Sequence, residues 1–179
     1  LIDYYIYGST DDVGNVDIGA ITISVGAGAV IDDIDIDISG ENIGNVSVGG
    51  YDITAGENSF LFEGSISVDI DAEGGNVGDV VFGDRSLTLN DGAEPSDFDG
   101  ETITIEANSY NTTTVDGIVN SIGGSIGDVT FGNYDLILDG EGEGGTFYFN
   151  YVEISAEGGD VGDVTFGNLT ANIDTFVGQ

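Results

Sequence analysis

Positive charge is almost missing from this chain. Arg85 is its one basic residue, set against 34 aspartates and glutamates, and the formal net charge over 179 residues is −33. That shortage excludes nucleic-acid binding, which needs clustered Lys and Arg to neutralise phosphates. It also excludes attraction to anionic membrane surfaces. Cysteine and histidine are absent. No disulfide framework or thiolate metal site can therefore form, and the usual nucleophile–base and Schiff-base constellations cannot be built. Paired carboxylates, the equipment of glycoside hydrolysis, remain, but none stands out from the acidic background, and the chain reads as a non-enzyme. No apolar run approaches the roughly 20 residues that span a bilayer as a helix. The first residue is Leu rather than Met, which suggests a processed mature chain or an excised fragment whose secretion signal has been removed.

Strong acidity often accompanies disorder. Here 40% of the residues are hydrophobic, with Val and Ile abundant and a single proline, Pro95. Apolar and acidic residues alternate, as in Ile34-Asp35-Ile36-Asp37-Ile38. Order with carboxylates on the solvent faces accounts for this better than disorder does.

One motif recurs five times. An apolar anchor is followed by Gly, then Asn or Asp, then Val, with the anchors at Val13, Ile43, Val77, Ile126 and Val161. A second glycine follows six residues after each anchor: Gly19, Gly49, Gly83, Gly132 and Gly167. Counted from the anchor, position +3 is always Val, and position +5 is Ile18, Val48, Phe82, Phe131 or Phe166. Position −7 is Ile6, Ile36, Ile70, Val119 or Ile154. The period within each segment is two, the mark of a strand with one buried face. Each unit reads as three short strands, with a corner at the +6 glycine. Successive anchors lie 30, 34, 49 and 35 residues apart. The extra length is placed in a long inserted connection over 90–116, which holds Pro95 and an extra strand from Thr102 to Ala107.

The fold expected for 1–179 is one all-β repeat domain: a right-handed parallel β-solenoid of about five coils, with like residues stacked on like. The alternative is an antiparallel β-sandwich carrying a duplicated motif.

The residues at +2 (Asn15, Asn45, Asp79, Asp128, Asp163) would form a row about 4.8 Å apart along a stack. Ionised aspartates that close repel. Either each caps the amides of its own following turn, or a cation lies between Asp79, Asp128 and Asp163, with Ca²⁺ the fitting hard ion. A second acidic row is expected outside the first strands, at Asp35, Asp69 and Glu153, with Asp37 and Asp71 beside it. Tyrosines gather at Tyr4, Tyr5 and Tyr7, and three glycosylation sequons begin at Asn45, Asn111 and Asn168.

The segments Gly74-Gly75-Asn76-Val77-Gly78-Asp79 and Gly158-Gly159-Asp160-Val161-Gly162-Asp163 resemble part of the Ca²⁺-binding nonapeptide of secreted RTX proteins. They carry Val at the fourth place, where that motif needs Gly, and no nine-residue period follows, so its ligand set is not transferred. The chain as a whole resembles the Gly- and Asp-rich repeat regions of secreted prokaryotic surface proteins, including adhesins and filament subunits. That resemblance implies an extracellular or cell-surface, non-catalytic protein that acts by assembly or adhesion.

A solenoid exposes unpaired strand edges at both ends unless something caps them. No capping helix is legible, so Tyr4, Tyr5, Ile6 and Tyr7 at one end and Leu169, Ala171 and Ile173 at the other are the expected self-assembly residues. The expected partner is a second copy, joined head to tail without a cofactor. A Ca²⁺-dependent adhesin or carbohydrate-binding module is the alternative. An ice-binding face would need a regular array of threonines, and Thr130 and Thr165 are too few.

Overall fold

The computed structural model describes residues 2–8, 12–26, 30–31, 33–56, 60–61, 65–90, 94–95, 100–108, 110–115, 118–138 and 151–173. Among them there is no helix. The chain is a parallel β-solenoid of five layers. Each layer contributes one strand to each of three ladders, and the ladders are parallel and in register. The layers span 2–31, 33–61, 65–95, 100–138 and 151–173. They are numbered 1 to 5 in that order.

The first ladder stacks Ile2–Gly8, Ile34–Gly40, Ser65–Glu73, Gly100–Asn108 and Tyr151–Ala156. The second stacks the three-residue strands Val16–Ile18, Val46–Val48, Val80–Phe82, Val129–Phe131 and Val164–Phe166. The third stacks Ile21–Val25, Tyr51–Ala55, Arg85–Leu89, Tyr134–Leu138 and Leu169–Ile173. The anchors join by single parallel bridges, Val13 to Ile43, Ile43 to Val77 and Val77 to Ile126. Parallel stacking, rather than hairpin pairing, rules out the sandwich.

Alternation decides what is buried. In Ile34–Gly40 every second residue points inward, so Ile34, Ile36 and Ile38 are core while Asp35 and Asp37 sit on the outer face. The valines at +3 lie directly over one another through all five layers. Phe82, Phe131 and Phe166 stack with ring centroids 5.1 and 4.7 Å apart and planes within 5° of parallel. A ladder of identical inward residues satisfies shape complementarity layer after layer. This is why the repeats are most alike at their buried positions.

Two expectations about register are corrected. Counting back seven residues from each anchor does not find equivalent residues in the first ladder. Ile6 pairs with Ile38, Ile38 with Ile70, Ile70 with Ile105 and Ile105 with Ile154. Only Glu41 and Asn42 separate Gly40 from the anchor Ile43, whereas 73–76 separate Ala72 from Val77. The slip is two residues, one full side-chain period, so it leaves the inward face intact and is invisible to hydropathy. For the same reason Asp69 stands beside Asp37, not Asp35.

The inserted connection is also shorter and later than 90–116. Gly100–Asn108 is the regular first-ladder strand of layer 4, paired along its length with Ser65–Glu73. Glu94–Pro95 continues a small ladder with Val30–Ile31 and Phe60–Leu61. The additional element is an antiparallel hairpin, Tyr110–Val115 with Ile118–Ile122. It enters the corner before the anchor Ile126, and Val119 belongs to it.

Candidate assembly surface

The Asn/Asp row does something neither sequence expectation foresaw. Asn15 Oδ1 accepts from the Asn45 amide at 3.0 Å, Asn45 Oδ1 from the Asp79 amide at 3.0 Å, Asp79 Oδ1 from the Asp128 amide at 3.0 Å and Asp128 Oδ1 from the Asp163 amide at 2.9 Å. Each side chain therefore caps the equivalent amide of the next layer, not its own turn. One oxygen of Asp79 and of Asp128 is committed to backbone, and among the described residues no group of three acidic side chains converges as a metal site.

Two further rows have the same construction. Asn42 accepts from the Asn76 amide, Asn76 from the Ser125 amide and Ser125 Oγ from the Asp160 amide. Asp84 accepts from the Asn133 amide and Asn133 from the Asn168 amide. Parallel corners leave amides that no strand neighbour reaches, and a short side-chain acceptor one layer away satisfies them.

The rows end at layer 5, where the core positions are open. Phe166 is 59% exposed and Leu169 73%, although their counterparts Phe131 and Tyr134 in layer 4 are 1% and 8% exposed. Val161 and Val164 are exposed as well. Of the residues expected to mediate assembly, Leu169 and Ala171 lie on this open layer, while the side chain of Ile173 falls outside the described residues. Tyr4, Tyr5, Ile6 and Tyr7 belong to the strand paired with Ile34–Gly40, at the register of Ile36, Asp37, Ile38 and Ser39. Their side chains likewise lie outside what is described. The sequon at Asn111 falls on the hairpin, and Asn45 and Asn168 sit in the acceptor rows.

One internal feature escaped the sequence reading. Arg85 does not reach solvent. It occupies the inward third-ladder position between Tyr51 and Tyr134 and is 6% exposed. Its Nη1 donates to Glu101 Oε2 at 2.6 Å, and Glu101 is 1% exposed. The guanidinium carbon lies 5.4 Å from the centroids of both Phe131 and Tyr134, a cation–π arrangement. Glu101 replaces the inward isoleucine of the neighbouring layers, Ile34 and Ile66. Burial pushes the Glu101 carboxyl up, and Arg85 pulls it part of the way back. Burial, followed by the Glu101 charge, holds the Tyr51 phenol far above its usual range, so it is neutral. Among the described residues no group meets Tyr51 Oη, Arg85 Nε or Glu101 Oε1 in good hydrogen-bond geometry, although the Tyr51 phenol lies close enough to Glu101 for each to shift the other. The signal was a lone Arg and an acid at an inward position of Gly100–Asn108, but treating that strand as an insertion hid the second half.

The outer face of the first ladder is acidic. Burial, then the charges of Asp37, Asp71 and Glu106, raises Asp69 above the ordinary aspartate value. Asp71 is also raised, mainly by burial, although Asn108 Nδ2 donates to it at 2.8 Å.

No family model matches the chain, and no curated protein or solved structure is detectably similar to it.

Proposed function

We propose that this protein is a structural subunit of an extracellular surface filament, assembling head to tail through its terminal layers. The observation that carries this reading is the open fifth layer, where Phe166 and Leu169 expose apolar area at positions that every inner layer buries. Burying a Phe or Leu side chain stabilises by roughly 1.5–3 kcal/mol, so a layer that leaves several such groups in water favours acquiring another layer on top. The contact is heterologous, and heterologous contacts that do not close into a ring propagate as fibres.

Charge supports the same reading. The one basic side chain is consumed inside the core, leaving an acidic exterior that opposes side-by-side association while the apolar layer 5 face permits axial growth. Placement outside the cell follows the resemblance of the repeats to secreted prokaryotic surface proteins. A non-catalytic role follows from the missing His, Cys and Lys.

Negative-stain electron microscopy of the purified chain across a concentration series tests the reading. Unbranched fibres one solenoid wide, unchanged by EDTA, are expected. Monomers at every concentration would refute it. Monomers whose melting temperature drops on chelation would favour the Ca²⁺-dependent adhesin module, for which the mutually repelling Asp37, Asp69, Asp71 and Glu106 are the motivating observation.

A further inference from the structure

We infer that the two ends of the stack are the halves of one joint: layer 5 of one copy seats beneath layer 1 of the next, in the register that joins layers within a chain. This rests on the head-to-tail reading above and specifies its geometry, polarity and residues. Three independent features of the described residues point to it.

The first is steric. A Cβ added at the +1 glycines Gly44, Gly127 and Gly162 would come within 2.4–2.6 Å of the capping oxygens of Asn15, Asp79 and Asp128 in the layer before. At the +6 glycines Gly49, Gly132 and Gly167 it would come within 2.6 Å of the preceding layer's backbone. Glycine is thus demanded in each layer by the layer beneath it. Gly14 and Gly19 in layer 1 have nothing within 4 Å of a built Cβ, and neither has a positive φ. Nothing among the described residues calls for glycine at either place. A further layer beneath them does.

The second is polarity. All nine backbone amides held by the three corner rows belong to the later layer, and all nine side-chain acceptors belong to the earlier one. Layer 5 therefore ends in the acceptors Asp160, Asp163 and Asn168, which receive no donor. Layer 1 begins with the amides of Asn15 and Ala20 at the matching corner positions. Acceptors meet donors only when copies join head to tail; two like ends would oppose acceptor to acceptor.

The third is apolar fit. Phe166, Val164 and Leu169 are exposed on layer 5, at ladder positions whose layer 1 counterparts are the apolar Ile18, Val16 and Ile21, the first two buried within their own chain and Ile21 half-buried. A second copy supplies the ladder, the capping row and the glycine floor together, so a second copy is the occupant.

Two blocked variants test the joint. Gly14→Leu/Gly19→Leu obstructs the layer 1 face, and Phe166→Asp/Leu169→Asp places charge on the layer 5 face, at the cost of the Phe131–Phe166 stack beneath it. Each alone is expected to stay monomeric, with the wild-type melting temperature for the glycine pair, because among the described residues nothing lies within 4 Å of a Cβ at either glycine. Mixed in equal amounts, they retain one good face of each kind and are expected to give dimers by light scattering, with no longer species. Substoichiometric glycine variant is expected to shorten wild-type fibres. Fibres from the glycine variant equal to wild type would overturn this joint while leaving assembly through some other surface standing. A mixture that remains monomeric while wild type polymerises would also overturn it. A wild-type chain that never assembles removes both the joint and the filament.

Discussion

At the scale of single residues, the buried Arg85–Glu101 pair is the least ordinary feature of the core. Bringing two charges out of water costs several kcal/mol each, and their attraction repays this only with good geometry and full hydrogen bonding. Here the contact is short, yet Arg85 Nε and Glu101 Oε1 are unmatched. Other layers show what the two positions accept instead: Ile66 and Ile34 at that of Glu101, and Tyr51, Tyr134 and, in layer 1, Ile21 at that of Arg85. Arg85→Leu alone strands a buried carboxylate and is expected to destabilise by about 3–5 kcal/mol. Adding Glu101→Ile should recover that loss and bring stability to wild type or about 1–4 kcal/mol above it. Urea denaturation of the two single variants and the double variant measures this. If Arg85→Leu alone proved harmless, the pair would not be the tight contact described.

At the scale of elements, the hairpin Tyr110–Val115 with Ile118–Ile122 splits an otherwise standard corner. Layer 3 turns through Glu73-Gly74-Gly75-Asn76 and layer 5 through Glu157-Gly158-Gly159-Asp160, with Gly74 and Gly158 at positive φ. In layer 4 the same corner is Asn108, then the hairpin, then Gly123-Gly124-Ser125. Removing 109–122 would restore a four-residue turn of the same kind, with its two glycines already in place. Loop-closure entropy grows slowly with length, so the shortened protein is expected to gain on the order of 1 kcal/mol and to keep its β circular-dichroism spectrum. Loss of cooperative melting in that deletion would show that the hairpin supports the stack rather than decorating it.

For the whole molecule, the acidic exterior sets the response to solution conditions. Asp69 and Asp71 are raised by burial and by neighbouring charges. A raised carboxyl pKa means the folded state binds protons before the unfolded chain does, so unfolding free energy rises as pH falls through the folded values. The gain is complete once the unfolded value, about 3.9 for Asp, is passed. A higher melting temperature at pH 5 than at pH 7 in low salt is therefore expected, opposite to the usual loss on acidification. Salt should have a parallel effect, because the Debye length falls to about 3 Å at 1 M and the self-repulsion of 34 acids is then screened. Calorimetry over a pH and salt grid reads both, and a protein that melts earlier at pH 5 would contradict them.

The solenoid, its five layers and its inward valines and phenylalanines were legible in the sequence, because stacking like on like imposes the same residue at every level. Residues beside the +1 glycine were legible as a row for the same reason. The row's hydrogen bonds were not legible, since an Asn or Asp looks the same whether it caps its own turn or the next layer. First-ladder register was hidden because a two-residue slip preserves alternation. The place of the hairpin was hidden because its Val and Ile mimic a ladder strand. Only the tertiary structure shows that Arg85 meets Glu101, since 16 residues and a step to the next layer separate them. It also decides which glycines have a neighbour beneath them: the +1 and +6 glycines recur in all five layers, and contact does not.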